Sequence, residues 1–214
     1  NIVADDWDQS LPVERKLDSA QEAAAGTSQR GGTRRRRSDP SWEERVGRRG
    51  GQIGEVLSGD ASADERLVGN LREKAALLRE FGETPPSLDE VMGPVRGAVR
   101  ELASFVGDAR GAIHDAVERG GKVLFEGAQG TSLDPLHGTY PYVTSSPCVA
   151  PAAAWGSGVP AAARGSVLGI VKAYTTRVGE GPFPTELHDD AGERLREAGG
   201  EYGATTGRPR RTGW

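Results

Sequence analysis

The chain has 214 residues, 36% of them hydrophobic, which is enough for one substantial core or two small ones. Its formal net charge of -4 gives no global case for nucleic acid or an anionic membrane as a partner, and no apolar run reaches the roughly 18 residues that span a bilayer. A single cysteine, Cys148, excludes an internal disulfide framework and favours a reducing cytoplasm.

The first predicted element is a helix that begins at Leu11-Pro12 and runs to Ala25. A loop rich in glycine and arginine follows over residues 26–39 and contains the run Arg34 to Arg37. Consecutive arginines are typical of a contact with phosphate or RNA, but they also occur simply as a solvated run of charge. Both interpretations stay open, and we favour the solvated run.

Helices are predicted between residues 41 and 121. Three serine–glutamate pairs there have the spacing of a capping box: Ser41 with Glu44, Ser62 with Glu65, and Ser87 with Glu90. Two apolar stripes at helical spacing predict core-facing helices, one formed by Leu67, Leu71, Ala75 and Leu78, the other by Val91, Val95, Val99, Leu102 and Val106. A further helix contains Ile113 and Val117, and its His114 has no second ligand at i+3 or i+4 for a metal.

The most informative stretch runs from residue 122 to 146. The apolar run at 123–125 predicts a short buried strand of a parallel sheet, which the glycine-rich turn at 127–130 must end. Open α/β sheets bind ligands where strands end in such turns. The Gln129 amide has both donors and an acceptor for a planar ligand such as a nucleobase. The hydroxyls of residues 144–146 are suited to phosphate oxygens.

Two more segments follow before the end of the chain. Residues 167–178 predict a second buried strand, and residues 193–198 predict a short helix that glycines end. The last stretch, 204–211, combines a hydroxyl-rich segment with three arginines, Arg208, Arg210 and Arg211. A guanidinium holds a carboxylate through two parallel hydrogen bonds. These residues therefore favour capture of a small dicarboxylate, with a basic surface loop as the alternative.

Three blocks together resemble the adenylosuccinate synthetase family. They are residues 125–146, which contain Phe-Glu-Gly-Ala-Gln-Gly and His-Gly-Thr-Tyr-Pro-Tyr-Val-Thr-Ser-Ser, residues 167–187, and residues 203–214. The resemblance implies an α/β fold, a mostly parallel sheet flanked by helices and related to the P-loop NTPases, incomplete at both ends. Residues 1–214 would be the central part of a single domain. Within it, residues 51–121 would form a helical, insertion-like region, and residues 122–214 would carry the nucleotide and aspartate sites.

The activity that this resemblance implies is GTP-dependent ligation of L-aspartate to IMP, which gives adenylosuccinate in AMP biosynthesis. The family is a cytoplasmic homodimer that uses Mg2+ with GTP. The IMP contacts carried over are Gln129, Thr144, Arg48 and Arg208, and Gln129 would also stabilise charge on the purine. Arg48 would reach the nucleotide phosphate of the partner subunit. The aspartate contacts are Ala204, Thr205, Thr206, Gly207, Arg208 and Arg210, with Arg210 also near GTP.

Several parts of the family pattern are altered or missing. Residues 34–39 have arginine and aspartate at places of glycines and of a phosphate-binding threonine, and residues 147–155 have alanine and proline in place of polar residues. The family's catalytic aspartate and histidine, its phosphate loop and its guanine-reading segment have no counterpart in the sequence. We therefore assign no metal ligand and expect that the chain alone does not turn over. The alternative is a non-catalytic remnant that keeps nucleotide binding or the dimer surface.

Overall fold

The computed structural model describes residues 17, 20, 39–160, 165–203, 207 and 209–214. Seven α-helices lie in these ranges: α1 (Asp39–Gly47), α2 (Ile53–Ser58), α3 (Ala61–Glu80), α4 (Leu88–Leu102), α5 (Ala109–Glu118), α6 (Pro151–Ser157) and α7 (Asp190–Ala198). Two short strands, β1 (Thr175–Arg177) and β2 (Arg211–Gly213), pair antiparallel, with Thr176 opposite Thr212. Helix α7 packs against β2. Over the described ranges, no helix has the length and apolarity that crossing a bilayer requires.

The hydrophobic core lies where α2, α3 and α4 meet. Its members come from both predicted stripes and from their neighbours: Ile53, Leu67, Leu71, Leu78, Val91, Met92, Val95 and Val99, together with Leu17 and Ala20. Burying a side chain of this size contributes about 1.5–3 kcal/mol. The first stripe is confirmed, and the second is confirmed from Val91 to Val99. Leu102, the last residue of α4, is 38% exposed, and Val106 lies after the helix and is only partly buried against the core. Leu17 and Ala20 are helical as predicted, and the rest of residues 11–25 and the Arg34 to Arg37 run lie outside the described residues.

Side-chain caps precede α3, α4, α5 and α7, and one of the three predicted capping boxes is confirmed. Ser87 accepts a hydrogen bond from the N–H of Glu90, and the Glu90 carboxylate accepts one from the N–H of Ser87 at 2.7 Å. At α3 the cap is Asp60 instead of Ser62, since the Asp60 carboxylate accepts from the Ser62 N–H at 2.8 Å. Helix α1 already begins at Asp39, so Ser41 lies inside the helix and does not cap its start.

Neither predicted buried strand forms as expected. Residues 123–125 have no sheet partner, and Leu124 is 91% exposed. Of residues 167–178, only Thr175–Arg177 is a strand, and Ile170 is 91% exposed. An apolar run predicts burial only if another strand lies beside it. Within the described residues no such neighbour exists, and the parallel pairing that we expected is absent.

The exposed apolar segments at 123–125 and 167–171 should make the chain prone to aggregation. Unpaired extended backbone next to apolar side chains can pair with the same segments of other chains. We expect Ile170→Lys to raise the soluble fraction several-fold. The free energy of unfolding should change by no more than about 0.5 kcal/mol, since the side chain is exposed. Ser104→Lys adds the same charge at an exposed polar position and serves as the control. Equal sedimentation of the two variants at matched concentration would contradict this expectation.

Candidate functional site

The segment from Gln129 to Cys148 is folded around the carboxylate of Asp134, which is 1% exposed. One carboxylate oxygen accepts the backbone N–H groups of Leu136 at 2.9 Å and His137 at 3.0 Å, and the other accepts that of Cys148 at 2.7 Å. The hydrogen bond from the Cys148 N–H lowers the pKa of Asp134 most. Burial raises this pKa, but the bonds from Leu136 and His137 lower it further, so the net pKa lies below its usual range. This carboxylate joins two parts of the chain that lie 14 residues apart.

Gln129 occupies the turn that the sequence predicts for it. Its φ is 63°, a region that few residues other than glycine adopt. The side chain is exposed, and its amide oxygen lies 3.8 Å from the Cys148 sulfur, which donates weakly to it. Burial raises the pKa of the Cys148 thiol, so that thiol stays protonated at neutral pH.

Thr144 lies on the same folded block, and its N–H donates to the carbonyl of Leu133 at 2.7 Å. Its side chain is half-buried. Because Leu133 directly precedes Asp134, the Thr144 segment and the Gln129 turn are held by the same hydrogen-bond network. The two IMP contacts expected in this block therefore lie on one stretch of chain that internal hydrogen bonds fold together.

Arg48 lies just after α1 with a φ of 60°, and its N–H donates to the Arg45 carbonyl at 3.0 Å. It borders an open cavity of about 300 Å³ whose lining also includes Glu44, Arg45, Gly50, Gln52, Glu55 and Arg66. The two acids of this lining are neutralised, Glu44 by Lys74 at 2.7 Å and Glu55 by Arg66 at 2.6 Å. The Arg48 side chain is exposed and forms no ion pair with any described residue. The cavity is therefore suited to an anion.

Two tryptophans connect the Arg48 helix to the chain that follows Thr144. Trp42 of α1 and Trp155 of α6 stack with ring centroids 5.7 Å apart and an interplanar angle of 20°. Such a pair contributes about 0.5–1.5 kcal/mol beyond the area that it buries. Helix α6 was not predicted; a proline begins it and Gly158, at a φ of 73°, ends it. Nothing in the sequence pattern signalled this contact.

Arg177 connects the small sheet to the same block. Its guanidinium donates to the Thr139 hydroxyl at 3.0 Å, to the Tyr142 carbonyl at 2.9 Å and to the Glu180 carbonyl at 3.0 Å. Burial, and secondarily the charge of Arg211, lowers the pKa of Arg177. Sequence reasoning missed this residue because two of its three partners, Thr139 and Tyr142, lie more than 30 positions away.

Two of the three terminal arginines, Arg210 and Arg211, are each held by an acid. Arg210 donates to the Glu201 carboxylate at 3.1 Å, and Arg211 donates to the Glu186 carboxylate at 2.9 Å. Of the predicted aspartate contacts, Gly207 is exposed at a φ of 62°, and Arg210 is half-buried. Residues 204–206 and Arg208 lie outside the described residues.

The carboxylates in the described part of the chain do not fit Mg2+, the metal that the resemblance implies. No group of three or more His, Cys, Asp or Glu residues is placed there to hold a metal ion. Mg2+ binds oxygens with free lone pairs, but Asp134, Glu186 and Glu201 are already occupied by amide, arginine and lysine donors. His114 lies 3.0 Å from the Gly158 carbonyl through its Nε2. No chemical step is therefore assigned to a metal.

Comparison with known proteins gives one consistent result. The family model described as adenylosuccinate synthetase matches residues 2–214. The adenylosuccinate synthetase of Myxococcus xanthus (strain DK1622) is 46% identical over 218 residues, which cover 100% of this chain and 50% of that protein. That of Sorangium cellulosum (strain So ce56) is 46% identical over 205 residues, which cover 95% of this chain and 48% of that protein. The chain spans about half the length of the curated relatives it matches.

A solved structure gives the same match in three dimensions. The fully ligated adenylosuccinate synthetase from Plasmodium falciparum matches with a TM-score of 0.81 at 33% identity, covering 94% of this chain and 47% of that one. This match confirms the α/β fold class expected from the sequence, although the described sheet has only two antiparallel strands.

Proposed function

The chain belongs to the adenylosuccinate synthetase family, and from that premise we propose that it carries the IMP-binding and aspartate-binding part of this ligase. The proposed activity of the whole protein is GTP-dependent C–N bond formation between IMP and L-aspartate, in a homodimer of the purine pathway. The observation that supports the proposal is the set of contacts around buried Asp134. Asp134 accepts from the Cys148 N–H, the Cys148 thiol contacts Gln129, and Thr144 donates to Leu133, which is next to Asp134.

Each half of IMP has a suitable partner in this arrangement. The exposed Gln129 amide offers a donor and an acceptor to the purine, and a fixed dipole of this kind stabilises charge that develops on the ring. The Thr144 hydroxyl is assigned to the 5′-phosphate. The partner subunit's Arg48 is assigned to the same phosphate. Two observations support that role: the Arg48 side chain is exposed, and it forms no ion pair with any described residue.

L-Aspartate is assigned to the segment from Ala204 to Arg210. Arg210 already binds Glu201 through one nitrogen, but a guanidinium has five N–H donors. It therefore keeps donors for a substrate carboxylate or for GTP beside it. Arg208, in the same segment, is assigned to both IMP and aspartate.

Turnover by the isolated chain is not expected. Phosphoryl transfer from GTP depends on a metal and a phosphate cradle, and the described carboxylates do not provide a metal site. The proposed role of these 214 residues is therefore substrate binding. Adenylosuccinate formation by the isolated chain, followed by absorbance, would contradict this part of the proposal.

Calorimetric titration with IMP and with inosine tests the binding site. We expect IMP to bind more tightly than inosine because only IMP carries the phosphate. Thr144→Val should weaken IMP binding roughly 10- to 150-fold, the loss expected for one hydrogen bond to a charged group. Thr131→Val, an exposed threonine of the same block, is the matched control and should leave binding unchanged. Equal affinity for IMP and inosine, or no effect of Thr144→Val, would refute the assignment.

A further inference from the structure

The loop at residues 202–209 is closed at its base by contacts between Glu201 and Arg210. The Arg210 N–H donates to the Glu201 carbonyl at 2.9 Å, and Tyr202 and Pro209 form an isolated antiparallel bridge directly above. The two side chains meet as well, with Arg210 Nη1 3.1 Å from Glu201 Oε2. Residues 201–202 and 209–210 are thus held together, and Glu201 lies at that point.

Glu201 is also the centre of a charge cluster, formed by Lys172, Tyr174, Glu201 and Arg210. Its carboxylate is 5% exposed, and its Oε1 accepts from Lys172 Nζ at 2.5 Å and from the Tyr174 hydroxyl at 2.7 Å. Lys172 lies 4.8 Å from the centre of the Tyr174 ring. Both carboxylate oxygens are therefore used, and they join the loop to the segment that leads into β1.

We propose that Glu201 is a positioning residue for Arg210, because its buried carboxylate fixes the Arg210 guanidinium in the orientation needed to receive a substrate dicarboxylate. This inference rests on the proposed role of the 202–209 loop in binding L-aspartate. It adds a residue to the site that makes no substrate contact itself and acts through Arg210.

The charge balance explains why a carboxylate is required at this position. Without it, the cationic groups of Lys172 and Arg210, which both contact the Glu201 carboxylate, would lie close together with no anion between them. Arg210 Nε is buried and has no hydrogen-bond partner in the described structure, so the guanidinium depends on Glu201 for its orientation. Burial raises the pKa of Glu201, but hydrogen bonds from Lys172 and Tyr174 lower it by more, and the group is ionised at neutral pH.

Hydrogen exchange of the ligand-free chain tests the positioning role directly. Glu201→Gln keeps the shape and removes the charge. We expect the hydrogen-bonded amides of Tyr202 and Arg210 to exchange roughly tenfold faster, as loss of one charge-assisted hydrogen bond implies, while α3 and α4 stay protected. Glu197→Gln removes the same charge from an exposed position on α7 and should change nothing. Unchanged exchange at these two amides, or equally faster exchange throughout the chain, would overturn the proposal.

Binding of succinate to the chain saturated with IMP is the second measurement. Glu201→Gln should weaken succinate binding about tenfold and leave IMP binding unchanged, and Glu201→Asp should restore part of the loss. If Glu201→Gln does not fold, Lys172→Met is the second variant. It removes one ion pair of Glu201 by changing Lys172, a side chain that is 47% exposed, and it should produce a smaller effect of the same kind. Faster exchange at the two amides in a chain that never binds succinate would support the positioning of Arg210 and refute the proposed function of the loop.

Discussion

Glu44→Gln should lower the free energy of unfolding by about 3 kcal/mol, because it leaves a buried ammonium without its partner. Glu44 of α1 is 3% exposed and Lys74 of α3 is 6% exposed, and their charged atoms lie 2.7 Å apart. Arg49 donates to the other Glu44 oxygen at 3.0 Å. The nearest further acid, Glu43, is 4.0 Å from Lys74 and itself 64% exposed, so it cannot replace Glu44. Urea denaturation measures the loss.

The double variant Glu44→Gln with Lys74→Met separates the ion pair from simple packing. Removing both charges leaves no stranded ion, and we expect more than half of the lost stability to return. Glu43→Gln, on the exposed neighbour, is the control and should cost no more than about 0.5 kcal/mol. A double variant as unstable as Glu44→Gln alone would show that the buried charge is not the cause.

The same pair predicts how stability changes with pH. Burial raises the pKa of Glu44, but the hydrogen bonds and charges of Arg49 and Lys74 lower it by more, and the net pKa lies below that of an ordinary glutamate. A group with a lowered pKa stabilises the fold fully above its unfolded value, about 4.3 for glutamate, and this contribution is lost as pH falls through the folded value. The stability difference between the wild-type chain and Glu44→Gln should therefore shrink below about pH 4. A difference that is constant from pH 7 to pH 3 would contradict this assignment.

The helices α3 and α4 were predictable because apolar periodicity and helix caps are local signals in the sequence. The stripe from Leu67 to Leu78 and that from Val91 to Val99 are periodic in the sequence and buried in the structure. The cap at Ser87 requires only its own carboxylate partner three residues on. The strand predictions were wrong because strand formation depends on a second segment, and an apolar run such as 167–171 carries no information on whether that segment is present.

The candidate site was predictable only in part, for a related reason. The Gln129 turn follows from its neighbouring glycines. The role of Asp134 does not follow from its sequence neighbours, because one of its three amide donors lies 14 residues away. An aspartate two residues before the Leu136 N–H is a local turn signal, and it could have identified the two local bonds of the three, those from Leu136 and His137. Arg177 and Glu201 had no signal at all, since residues distant in sequence supply most of their partners.

Arg211→Lys should also lower the free energy of unfolding by about 3 kcal/mol, although it keeps the charge. Arg211 of β2 donates through Nε to both oxygens of Glu186, at 2.9 and 2.8 Å, and through Nη2 to one of them. Its Nη1 donates to the carbonyls of Gly179 and Gly181 at 3.2 and 2.8 Å. A lysine ammonium is a single point and cannot reach the carboxylate and both carbonyls together.

Thermal unfolding measures this loss as a fall of roughly 6–12 °C in the midpoint, at 2–4 °C per kcal/mol for a chain of this size. Arg194→Lys makes the same substitution on an exposed position of α7 and should shift the midpoint by no more than about 2 °C. Arg211 also lies over the Phe183 ring, 5.5 Å from its centre, and lysine retains much of that contact. A large loss would therefore identify the planar set of hydrogen bonds as the stabilising feature, and a loss equal to that of Arg194→Lys would show that charge alone is sufficient.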